Sequence, residues 1–198
     1  FTELSPKHQQ QMIYPIVAYG DPLLRKAGIS IDKNYPNLTT IIENMFETMY
    51  PAKVVGLAAP QVGLSIRLFI VDASPFAEDE EHKDLKGFKK IFINASILKE
   101  EGEDWIFNEG CLSIPKIRED IKRKPKIKIK YMDENFKTHE DEYDGLRARI
   151  IQHEYDHIDG KLFIDKINPF RKRLIKGKLN DILTGNIETD YKMRFIKK

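Results

Sequence analysis

The sequence predicts an α+β domain: short antiparallel strands packed around one central helix, with a further helix toward the C-terminus. Three observations carry that prediction. Short apolar runs of strand type alternate with turn residues and charged stretches, helical periodicity is confined to a few segments, and no internal repeat or linker divides the chain. The 198 residues amount to a single domain at ~150 residues per domain, enough to bury a core without disulfide staples.

Along the chain, residues 1–11 are polar and unpatterned and read as a tag remnant or disordered extension, leaving 12–198 as one domain. Asp21-Pro22 suits a turn or helix start. Asn37 is placed to cap a helix in which Ile41, Ile42, Met45, Phe46 and Met49 recur at helical spacing, with Pro51 ending it. VVGLAAPQVGL is too rich in small residues, and too interrupted by Pro60, for a comfortable helix or a long strand. Residues 66–72 and 91–95 are apolar strand-type runs, and the charged 77–87 between them reads as a solvated loop. From Ile121 the pattern puts Ile127, Ile129 and Tyr131 on one side and lysines on the other. That describes a half-buried strand with a basic outer face, and a lysine-protected sheet edge explains it better than a nucleic-acid stripe. Residues 136–143 form the next strand, Asp144 caps the helix DGLRARIIQHEYDH, and a last helix starts near Pro169.

Composition excludes several function classes. Lys and Arg number 33 against 31 Asp and Glu, a net charge of +2, which is no nucleic-acid footprint. No apolar run approaches the ~18–20 residues that cross a bilayer, and no signal-type leader is visible. One cysteine rules out an intrachain disulfide framework and fits a reducing, cytoplasmic setting.

The strongest chemical signal is His153-Glu154-Tyr155-Asp156-His157. Residues four apart share a helix face, so both imidazoles reach one metal ion and the predicted central helix is a metal-binding one. Glu154 stands beside them, placed to act on water as a general base. Two surface histidines on a charged helix are the bland alternative. Against it, Leu146, Ile150 and Ile151 make the preceding turn apolar, and the chain holds only 5 histidines. A catalytic metal takes three protein ligands and keeps one position open. The elongated metalloprotease motif would put a third histidine where Phe163 stands, and the next glutamate is the distant Glu188. Cys111, flanked by Gly110 and Leu112 in EGCLS, is the better third ligand. A lone cysteine taken by itself is more often a small buried hydrophobe. A thiolate with two imidazoles suits Fe(II), Co(II), Ni(II) or Zn(II).

GLAAPQ, EGCLS and HEYDH, in that order, resemble the three motifs of the peptide deformylase family, and the likeness runs from about Met12 to the helix near residue 180. The EGCLS form is that of the family's first bacterial type. Val54 stands where the family's first motif usually has a glycine. The resemblance implies removal of the N-terminal formyl group from formyl-methionyl nascent proteins, releasing formate. It implies one divalent ion, physiologically Fe(II), on Cys111, His153 and His157, with Zn, Ni or Co able to replace it in a purified sample. It also implies that metal-bound water attacks the formyl carbonyl, with Glu154 as general base and then acid, while Gln61 and the Leu112 N–H stabilise the oxyanion. For the methionine pocket it implies Val55, Phe107, Leu146 and Ile150, with backbone bonds from Gly56 and Gly110. Arg118 would border the cleft, and Arg123 would pair with Glu109 to steady the cysteine segment. The expected partners are nascent chains, with ribosome contact through the basic FRKRLIKGK helix and a monomeric state. Two readings compete: a zinc endopeptidase built on the same histidines, and a non-catalytic ribosome-docking protein.

Overall fold

The strand LFIVD is buried along its whole length, and the fold is built outward from it. The computed structural model describes residues 12–78 and 80–196; the extension expected over residues 1–11 lies outside the described residues. In chain order the strands and α-helices are β1 (Ile16–Val17), α1 (Leu38–Met49), β2 (Gly56–Ala58), β3 (Leu68–Asp72), β4 (Lys89–Glu101), β5 (Trp105–Cys111), β6 (Ile114–Arg123), β7 (Lys126–Met132), β8 (Thr138–Asp144), α2 (Gly145–Ile158), α3 (Pro169–Leu183) and β9 (Met193–Arg194). Short 3-10 turns lie between several of them, including Ala59–Val62 after β2.

An antiparallel sheet of order β2-β3-β4-β7-β8 forms the middle layer. Because side chains alternate along a strand, Phe69 and Val71 of β3 face α2, where they join Phe92, Ile129, Ala148 and Ile151. Leu68 and Ile70 face the other way, onto Met45, Phe46 and Met49 of α1. Each such fully buried large side chain contributes about 1.5–3 kcal/mol of transfer free energy. The hairpin β5–β6 flanks α2 from outside the sheet, tied by Arg149, which donates to the Ile121 and Trp105 carbonyls at 2.9 and 2.7 Å. The helix is therefore central, as expected. Helix α3 packs over β6, docked by Ile175 and Ile182 and by a two-bond Arg171–Glu119 pair at 2.8 and 2.9 Å.

Four expectations need correction. The lysine-bearing strand β7 is not an edge: it is bonded to β4 on one side and β8 on the other, and β8 is the edge. Its outward lysines answer glutamates across the ladder, Lys128 to Glu140 at 3.2 Å and Lys126 to Glu142 at 3.6 Å. The segment 77–87 is not simply a solvated loop, because Leu85 is buried in the core below it. Asn37 and Asp144 do stand at helix starts, but neither side chain makes a capping bond; Asn37 sits in the left-handed region at φ 59° instead. Hairpin β5–β6 and the parallel β1–β9 pair were not anticipated at all.

Candidate active site

Helix α2 and hairpin β5–β6 meet at one wall of a cleft of about 330 Å³. The sulfur donor comes from the last residue of β5, where the register shifts between Gly110 and Cys111 and the chain turns through Leu112-Ser113. The imidazoles come from successive turns of α2. One ligating atom from each of Cys111, His153 and His157 lies within 4.8 Å of the others, and Cys111 Sγ stands 3.3 Å from His157 Nε2. No other such trio of His, Cys, Asp or Glu occurs among the described residues.

The orientation of His153 is set by Glu109. Its Nδ1–H donates to Glu109 Oε1 at 2.8 Å, which leaves the Nε2 lone pair for an ion. Glu109 is itself buried and accepts from Arg123 at 2.8 and 2.9 Å and from Arg149 at 2.8 Å. Burial opposes its charge, but the bonds from His153 and Arg123 outweigh that and hold the carboxyl far below its usual range. Arg123 also bonds Asp156 at 2.8 Å, tying the hairpin to the histidine turn. The expected Arg123–Glu109 pair is therefore present. The contacts of Glu109 with Arg149 and His153 were missed, although the spacing of Arg149 four residues before His153 was there to read. Burial disfavours charge on both imidazoles: His153 is nevertheless raised by Cys111 and Glu109, whereas His157 is lowered by burial and by its neighbours His153 and Arg123.

Glu154 is buried, and burial pushes its carboxyl up to about 7. Its Oε2 has no hydrogen-bond partner among the described residues. Its Oε1 lies where a Cβ on Gly56 would come within 2.8 Å, so position 56 must stay glycine for the carboxylate to sit there. Gln61 is carried by the 3-10 turn after β2. The Ala58 N–H requires an acceptor and takes Gln61 Oε1 at 3.0 Å, which aims the amide nitrogen at Cys111 Sγ and Ser113 Oγ, each at 3.3 Å.

Val55, Gly56, Gln61, Phe107, Gly110, Cys111, Leu112, Arg118, Leu146, Ile150, His153 and Glu154 all line the cleft; of the expected site residues only His157 stands behind the wall. Val54 and Phe76 line it too, as do His82 and Leu85 from the segment 77–87 read as solvent-facing. Phe163, where an endopeptidase would carry its third histidine, stacks on the His153 ring at 5.9 Å. A Cys/His/His donor set beside a buried, unpartnered carboxylate oxygen fits a divalent cation and water.

Residues 13–173 match the family model described as polypeptide deformylase. The peptide deformylase of Flavobacterium johnsoniae is 59% identical over 93% of this chain and 96% of its own length. That of Flavobacterium psychrophilum is 60% identical over 94% and 99%. Among solved structures, the Thermotoga maritima peptide deformylase superposes with a TM-score of 0.71 at 41% identity, covering 80% of this chain and 99% of its own. A Legionella pneumophila peptide deformylase gives 0.74 at 35% identity, covering 86% and 95%.

Proposed function

Because the chain belongs to the polypeptide deformylase family, metal-dependent hydrolases that remove the formyl group from the N-terminus of nascent proteins, we propose how its own residues divide that reaction. The carrying observation is the Cys111, His153 and His157 donor set beside Glu154 at the wall of the cleft. These three residues would hold the ion, and Glu109 keeps His153 in the tautomer that ligation requires. A divalent cation there supplies Lewis acidity, polarising a formyl carbonyl and bringing the pKa of water down to about 7.

Glu154 takes the proton of the attacking water at its buried Oε2 and passes it to the leaving amine nitrogen as the C–N bond breaks and formate departs. A carboxyl raised by burial toward neutrality is suited to both halves of that exchange. Negative charge that develops on the formyl oxygen is met by Gln61 Nε2 and the Leu112 N–H. Val55, Phe107, Leu146 and Ile150 give the methionine side chain an apolar seat, while Gly56 and Gly110 let the substrate backbone close in and bond. Arg118 borders the entrance, its guanidinium held by the Asn108 side chain at 2.7 Å.

The donor set suits Fe(II), Co(II), Ni(II) or Zn(II) alike; membership of the family is what supports Fe(II) as the physiological ion. The single cysteine, free of any disulfide, supports a reducing, cytoplasmic setting. Exposed Lys172, Arg173, Lys176 and Lys178 on α3 support ribosome contact through RNA phosphates; co-sedimentation lost on raising salt is the expected result. The endopeptidase alternative is not supported: Cys111 supplies the third donor and Phe163 fills the place of the histidine it needs.

The test is formate release from formyl-Met-Ala-Ser by anaerobically purified, Fe(II)- or Ni(II)-loaded protein. Rapid turnover that falls ~10²–10⁴-fold in Glu154→Ala is expected. Equal rates in the two proteins would overturn the assignment of Glu154.

A further inference from the structure

The C-terminal segment returns to the active site after α3. There β9 lies parallel to β1, with Ile16 N–H donating to Lys192 C=O at 2.9 Å and Ala18 N–H to Arg194 C=O at 3.0 Å. The next residue along, Tyr19, donates its N–H to Ser113 C=O at 2.8 Å, which fastens β1 to the turn after Cys111. Tyr191, just before β9, donates its hydroxyl to Leu112 C=O at 2.7 Å. Ser113 Oγ is meanwhile met by Gln61 Nε2. Leu112 thus lies in a turn held from several directions, with its own carbonyl fixed by a side chain 79 residues further along the chain.

The same segment also braces the other side of the site. Arg194 reaches Asp21 at 3.3 Å and lies against Gly63, where a Cβ would meet its Nη1 at 3.1 Å. Gly63 ends the 3-10 turn that carries Gln61. One short segment, Tyr191 to Arg194, therefore supports both groups assigned to the formyl oxygen. It lies beyond the residues matched by the family model, which end at 173.

We propose that Tyr191 is a positioning residue for deformylation: through its bond to the Leu112 carbonyl it holds the Leu112 N–H on the formyl oxygen as negative charge develops there. It touches no substrate and acts only through the Leu112 backbone. The inference rests on Leu112 N–H being an oxyanion donor. An interaction that strengthens only as the oxyanion forms changes kcat and spares KM. A merely structural bond would move thermal stability alone.

Tyr191→Phe removes the hydroxyl and keeps the ring, so packing is preserved. With metal-loaded protein and formyl-Met-Ala-Ser, kcat is expected to fall ~3- to 10-fold, the scale of one lost hydrogen bond. KM should stay within about twofold and bound metal should be unchanged. Wild-type kcat in the variant, with or without a lower melting temperature, would overturn the proposal, as would a loss that tracks metal content. Gln61→Ala is measured beside it. If that variant loses rate and Tyr191→Phe does not, the role of Tyr191 alone fails. If wild-type protein releases no formate, the functional reading beneath it fails.

Discussion

Replacing Glu109 with Gln removes the one anion on which three cationic or ring-nitrogen donors converge. Glu109 accepts from Arg123 Nε and Nη2, Arg149 Nη1 and His153 Nδ1, all at 2.8–2.9 Å, and it is 5% exposed. Glutamine keeps one acceptor oxygen and turns an NH₂ toward donors. Breaking a buried charge pair by removing one partner costs about 3–5 kcal/mol. The lower end applies, because Arg123 keeps Asp156 and Arg149 keeps the Ile121 and Trp105 carbonyls. At about 2–4 °C per kcal/mol for a chain of this size, 3 kcal/mol corresponds to a melting temperature lower by ~6–12 °C. His153 has no comparable substitute. Loss of a partner behind a ligating histidine lowers metal affinity ~10–100-fold. Thermal unfolding of the metal-free variant and Co(II) titration against a competing chelator read the two effects separately. A variant that melts within about 2 °C of wild type and holds Co(II) equally tightly would refute the view that Glu109 organises the site.

Gln61→Ala removes one oxyanion donor and is expected to lower kcat ~10²–10³-fold while metal stoichiometry is retained; steady-state formate release with elemental analysis checks both. Asp165 accepts from Arg25 at 2.6 Å and from the Leu162 N–H at 3.0 Å. Burial works against its charge, yet those bonds leave the carboxyl below its ordinary value of 3.8. A depressed folded pKa contributes stability above the unfolded value that is lost as pH falls through the folded one. Asp165→Asn should therefore melt below wild type at pH 7 and converge with it as pH drops below about 4, followed by melting curves across pH.

How far the sequence could be read depended on where charge was buried. The histidine helix was legible because its spacing carries chemistry as well as periodicity, and its apolar first turns agree with Ala148 and Ile151 facing the sheet. Hairpin β5–β6 was illegible for the opposite reason. Inward positions of β6 alternate cleanly, but Glu119 and Arg123 occupy two of them, paired to Arg171 and Glu109, so the apolar alternation is interrupted. The lysine strand β7 was misplaced at the edge because its partner strand β8 carries Glu140 and Glu142, whose answer to those lysines exists only once the register is known. At the site, the donor trio was readable from two short motifs, EGCLS and HEYDH. The Glu109 hub was half readable, through Arg123. His82 and Leu85 entered the cleft unannounced, since nothing in a charged stretch marks which side chains fold back over it. Tyr191 carried no local signal, because its role depends on β9 pairing with the strand at the other end of the domain.

Central to this account is that Cys111, His153 and His157 hold the catalytic ion while Glu154 handles the proton. Metal content and formate release measured together on wild type, Cys111→Ala and Glu154→Ala test it most directly. Wild type should carry one ion and turn over, Glu154→Ala should carry one ion and be nearly inactive, and Cys111→Ala should lose both. A Cys111→Ala protein that keeps its metal and its rate would contradict the account.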